Sequence, residues 1–87
     1  MGIVGAELAS LTRLEAAVAR HGAALEQLRA SLGAEIAATE WQGRAADRFR
    51  AAWSEEHEPS LRQLEAALRE AAVEVSRRRA AIEAAGA

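Results

Sequence analysis

Few residues in this chain have side chains suited to catalysis or to holding a ligand. There are two histidines, His21 and His57, and no cysteine among 87 residues. Without cysteine there is no thiolate nucleophile, no sulfur-ligated zinc site and no disulfide framework. If the chain folds back near Gln42, His21 and His57 lie about 9 Å apart along the helix direction, too far for one metal ion. They are expected to be partly buried or to sit at an interface edge. A pH-sensitive interface is the sharper alternative, because imidazole charges within the physiological range. Glu55, Glu56 and Glu58 cluster in sequence, but on a helix they point in different directions and read as a solvated face. Arg77, Arg78 and Arg79 suit the negative end of a helix dipole better than a phosphate site on a net acidic chain. No hydroxyl stands in a recognisable nucleophile–base arrangement, and the GxGxxG, P-loop and HExxH patterns are absent. The expectation is a non-enzymatic protein with no catalytic residue, no metal and no cofactor.

Composition narrows the class further. The net charge is −2, which argues against nucleic acid as a main partner. Charged residues, 28% of the chain, are spread so evenly that no apolar run approaches the roughly 18 residues of a membrane span, and no stable membrane insertion is expected. Met1-Gly2-Ile3-Val4-Gly5-Ala6 has neither a basic nor an apolar leader region, and Ala6 stands where a myristoylation signal needs Ser or Thr. About a quarter of the residues are alanine, every basic residue is arginine, and Asp47 is the one aspartate among many glutamates. Ala, Glu, Arg and Leu favour helix, so the expected class is all-α.

Periodicity supplies the elements that would position these groups. Val4, Leu11, Val18, Leu25 and Leu32 recur every seven residues, with Leu14, His21 and Leu28 three later. This seam predicts a first helix over about 5–39, widened by Leu8 and Ile36. A second helix is expected over about 45–84, where Leu61, Leu68, Val75 and Ile82 repeat every seven with Leu64 between. Phe49, Trp53, His57 and Leu61 are spaced by fours, so the seam drifts there. Pro59 removes a backbone donor and predicts a kink or brief break near 58–60, with Ser60–Gln63 as a capping box for the restart. The pairs Glu58–Arg62, Glu65–Arg69, Glu74–Arg78 and Arg79–Glu83 are spaced four apart and support helix. Gly43 permits the reversal over about 40–44, giving an antiparallel hairpin.

Two helices side by side bury one stripe each, and alanine-rich stripes bury little. The seam is wide enough to face more than one neighbour, so two hairpins are expected to pair into a four-helix bundle. Candidate packing and dimer-interface residues are Leu11, Leu14, Val18, Leu25, Leu28, Leu32, Phe49, Trp53, Leu61, Leu64, Leu68, Val75 and Ile82. Trp41 stands in the turn. It is expected to plug the open end of the bundle, with Trp53 as its packing companion, or to present a recognition surface with Gln42 and Gly43.

The run Trp41-Gln42-Gly43-Arg44-Ala45-Ala46-Asp47-Arg48-Phe49-Arg50-Ala51-Ala52-Trp53 is similar to the W-x-G-x-A-A-x-x-F-x-x-x-W pattern of the WXG-motif family of small ESAT-like proteins. The spaced Leu61, Leu64 and Leu68 and the opening Gly2–Ala6 also resemble that family, so the likeness covers nearly the whole chain. The lysine-free, Ala- and Arg-rich composition suggests a GC-rich actinobacterial source. The resemblance implies a substrate of the type VII secretion system, made in the cytoplasm and exported as a folded homo- or heterodimer without an N-terminal signal peptide. It implies engagement by the secretion ATPase, directly or through a signal-bearing partner, with the WxG turn of one subunit contributing to recognition.

One departure stands out. The family's YxxxD/E signal at the end of helix 2 is missing, because the chain has no tyrosine; Arg79 and Glu83 occupy the degenerate signal positions. Either this is the signal-less half of a heterodimer, or it is a homodimer or accessory subunit. The alternative function is an intracellular, chaperone-like adaptor for a larger type VII toxin or substrate.

Overall fold

The computed structural model describes residues 2–86. Helix α1 runs over Gly2–Ala38, α2 over Arg44–Ala52 and α3 over Glu58–Gly86, with a single π turn, Trp53–His57, joining α2 to α3. No strand occurs among the described residues. α1 packs along α3 as an antiparallel hairpin 64 Å long and 17 × 13 Å in section. None of these helices is long and apolar enough to cross a membrane.

The turn is built from hydrogen bonds that end one arm and start the next. The Thr39 hydroxyl donates to the Glu35 carbonyl at 2.6 Å, and the Trp41 amide donates to the Thr39 carbonyl at 3.1 Å. Gly43 takes φ 112° and ψ −179°, a conformation essentially closed to residues with a Cβ. From there its carbonyl accepts the Asp47 amide at 3.0 Å and α2 begins.

Pro59 acts differently from the expected kink or break at 58–60. It cannot donate to the Glu55 carbonyl, and its ring would crowd that oxygen. The chain answers one turn earlier by widening: the Glu58 amide reaches back five residues to the Trp53 carbonyl. The arm therefore stays helical through Pro59. No helix start is needed there, so Ser60 does not cap; its hydroxyl donates back to the Glu56 carbonyl at 2.7 Å.

The contact between arms also differs from the leucine seam. On α1 the half-buried residues facing the other arm include Leu8, Leu11, Glu15, Val18, Gly22, Leu25, Arg29, Gly33 and Ile36. On α3 they include Leu61, Glu65, Leu68, Ala72, Val75, Arg79 and Ile82. Gly22 and Gly33 lie where the arms meet, with room for a methyl: a Cβ placed on Gly22 would lie at an ordinary 3.7 Å from the Leu68 Cβ, and one on Gly33 at 3.7 Å from the Trp53 ring. Leu14, Leu28, Leu32, Phe49 and Leu64 are left exposed by 39–58%. Among the described residues only Ala46 and Glu65 are fully buried. A single hairpin thus encloses almost no core, and most of its large apolar side chains still meet water.

Candidate functional site

Three features of this hairpin are able to interact with something else: its tip, its polar crossings and one exposed flank.

At the tip, Trp41 stands at the surface of the single hairpin. Its ring is 42% exposed and leans on Phe49, with centroids 5.8 Å apart and planes tilted by 55°. Such a tilted pair is a favoured aromatic geometry. Trp53, expected to accompany Trp41, is instead turned inward against Gly33. Arg50 holds the backbone beneath the aromatic pair, donating from Nη1 to the Trp41 carbonyl and from Nη2 to the Thr39 carbonyl, each at 2.8 Å. Two carbonyls left over after α1 are satisfied by one planar guanidinium. Together with Ala37, Glu40 and Gln42, these groups line a shallow polar concavity beside the tryptophan. Gln42 and Gly43 are exposed there. The clamp by Arg50 has no signature at helical spacing and escapes sequence reading.

Two polar crossings link the arms. Arg29 of α1 makes a two-point hydrogen-bonded ion pair with Glu65 of α3 and approaches Glu58 at 4.0 Å. Glu65 was expected to pair with Arg69 on its own helix; it faces inward and is 4% exposed. The Glu65 hydrogen bond, aided by the charges of Glu65 and Glu58 and opposed by partial desolvation, raises the Arg29 guanidinium above its ordinary range. Glu58 is lowered, first by its hydrogen bond from Arg62 at 2.9 Å and then by the charges of Arg62 and Arg29, against some desolvation. The second crossing joins Arg79 to Glu15 at 2.9 Å. Arg79 also lies 3.9 Å from Glu83, while its buried Nε has no partner. The degenerate signal position is therefore tied into the hairpin through Arg79, and Glu83 remains exposed.

The histidines are not brought together as a ligand pair. His57 is exposed in the π turn and His21 is exposed on α1. Among the described residues, no group of three or more His, Cys, Asp or Glu is placed to hold a metal ion.

The exposed flank follows from helical phase. Leu14, His21 and Leu28 lie seven apart on one stripe of α1. Leu64 lies three residues after inward Leu61 and four before inward Leu68, and Phe49 bears the same relation to Ala46 and Trp53. Ile82 is eighteen residues, five full turns, beyond Leu64. A groove at the open end is lined jointly by Ile3, Glu7 and Leu11 of α1 and by Arg78 and Ile82 of α3. Glu7 heads the Leu14 stripe, so this groove places the α1 and α3 stripes on the same side of the hairpin. On α1 that side carries Ser10, Leu14, Ala17, His21, Leu28 and Leu32, with Arg13 at its edge donating to the Ser10 hydroxyl at 3.2 Å. The opposite side carries Glu26, Arg62 and Arg69.

Comparison of this chain with family models, with curated proteins and with solved structures found no match.

Proposed function

We propose that this chain is a non-enzymatic WXG-type protein of a type VII secretion system that acts as a dimer, with the Trp41–Gly43 turn as a recognition element. The observation that carries this reading is the tip: the tryptophan of the Trp-x-Gly motif stands exposed on Phe49 over a backbone braced by Arg50. A large aromatic ring held half in water on a rigid support is an interaction anchor rather than a core residue. The exposed flank supports dimerisation, because a hairpin with so little enclosed core gains most by covering Leu14, Leu28 and Leu64 with a second hairpin. On this reading the dimer is a four-helix bundle, made in the cytoplasm and exported by the secretion ATPase, directly or through a signal-bearing partner.

The test has two parts. Light scattering on the purified chain is expected to give a helical dimer, and expression in a host with a functional type VII system is expected to place the chain outside the cell. A chain found only inside, bound to a larger protein, would replace this reading with the adaptor one.

A further inference from the structure

The inward row of the second arm falls out of step at one place. Ala46 and Trp53 are seven residues apart, and Leu61, Leu68, Val75 and Ile82 follow one another by sevens, but Trp53 and Leu61 are separated by eight. In an unbroken α-helix eight residues overshoot two turns by about 80°, so Trp53 and Leu61 could not share a face. The π turn lies between them and takes up the additional residue, with the Glu58 amide reaching the Trp53 carbonyl. Ala46 is thereby closed off from solvent and the Trp53 ring is turned onto Gly33.

A plain α-helix over 53–58 is the competing form of this arm. It would rotate everything before it by about 100° relative to α3. Asp47, Arg50 and Ser54, which stand fourteen, eleven and seven residues before Leu61, would then face α1 in place of Ala46 and Trp53. The tip would turn with α2, because both its supports belong to that helix: Phe49 carries the Trp41 ring, and Arg50 holds the Trp41 and Thr39 carbonyls. Pro59 opposes the α form. That form needs an amide at residue 59 for the Glu55 carbonyl and free space beside that oxygen, and proline supplies neither. We infer that Pro59 is a positioning residue for the tip. By holding the π turn it fixes the rotation at which Trp41, Phe49 and Arg50 are presented, although it follows Trp41 by eighteen residues. What this means for recognition rests on the reading of the Trp41–Gly43 turn as the recognition element; the rotation itself does not.

The chain has two tryptophans and no tyrosine, so in a Trp41→Phe background the emission comes from Trp53 alone. Pro59→Ala admits the α form and releases Trp53 from Gly33. Emission is expected to move to longer wavelength and iodide quenching to rise at least about twofold, with helical circular dichroism retained. Deleting Glu56 as well shortens the Trp53–Leu61 spacing to seven, which an α-helix accommodates, and is expected to return both readings to those of the parent. Damage to packing alone would not be mended by removing a residue. Trp53 emission and quenching that are unchanged in Pro59→Ala, or changed and not restored by the deletion, overturn the inference, as does loss of helix in Pro59→Ala. With Trp41 in place, export by a type VII host is expected to fall in Pro59→Ala and to recover in the deletion variant. Export that stays constant while Trp53 moves would remove the recognition reading and leave the positioning by Pro59 standing.

Discussion

Arg29 crosses from α1 to α3 and grips the Glu65 carboxylate with two of its nitrogens in the seam between the arms. Both side chains are largely removed from water there, at 12% and 5% exposure. An ion pair so placed sets register more than it adds stability, because each partner loses its hydration. Glu65→Ala leaves the largely buried guanidinium with Glu58 at 4.0 Å as its remaining acidic neighbour and is expected to lower Tm by several degrees. Arg29→Met with Glu65→Leu is expected to recover that loss while loosening the pairing of the arms, read as broader amide exchange at the open end. Calorimetry decides: a double variant as unstable as Glu65→Ala would mean that the pair itself stabilises the hairpin.

Gly22 and Gly43 should respond in opposite directions to the same substitution. Gly22 is helical, and an added methyl would meet Leu68 at an ordinary 3.7 Å. Gly22→Ala is therefore expected to stabilise by about 0.5–1 kcal/mol through helix propensity alone. Gly43 holds φ 112°, which a Cβ opposes, so Gly43→Ala should cost about 1–3 kcal/mol. Thermal melts of the two variants separate helix propensity from turn strain; a loss at Gly22 would mean that the added methyl does not fit against Leu68 as the 3.7 Å separation implies.

The difference between the leucine pattern and the observed seam has a physical cause. Heptads of leucine select Leu11, Val18 and Leu25 correctly, but they also select Leu14 and Leu28, which face outward. The true second row on α1 is Glu15, Gly22, Arg29 and Ile36, mostly polar or small residues. Its contacts come from small residues and from charges that find partners on the other arm, and neither leaves an apolar signature. Pro59 was readable as a disturbance, yet its effect falls one turn upstream, because the carbonyl it disturbs belongs to Glu55. The helices and the reversal at Gly43 were legible because propensity and backbone freedom are local. The Arg50 clamp was not, since it depends on where two carbonyls end up in space.

Acid should weaken the hairpin partly through Glu58. Its carboxyl is held below the ordinary value of 4.5, mainly by Arg62 and further by Arg29. A carboxyl lowered by folding contributes stability that is complete above its unfolded value and is lost as pH falls through the lowered one. Melting temperature is expected to be flat near neutral pH and to fall below about pH 4.5, with Arg62→Gln flattening that fall. Superimposable acid limbs for the native chain and Arg62→Gln would assign the loss to other carboxylates.

Trp41 and Phe49 touch, yet they should be separable by function. On the proposed reading Phe49 carries apolar area onto the flank that a second hairpin would cover, whereas Trp41 leans on Phe49 with its backbone fixed by Arg50. Trp41→Ala removes an exposed ring without disturbing the seam, so hairpin stability should change by less than about 1 kcal/mol and dimer affinity by less than about threefold. If the chain is the proposed type VII substrate, its export should nevertheless collapse, because the proposed recognition surface would have lost its anchor. Phe49→Ala should instead weaken the dimer first, with any loss of export following from that. Measuring both variants for export and for dimer affinity separates the roles. If Trp41→Ala lowers dimer affinity as much as export, the tryptophan serves the interface between copies and the recognition surface lies elsewhere.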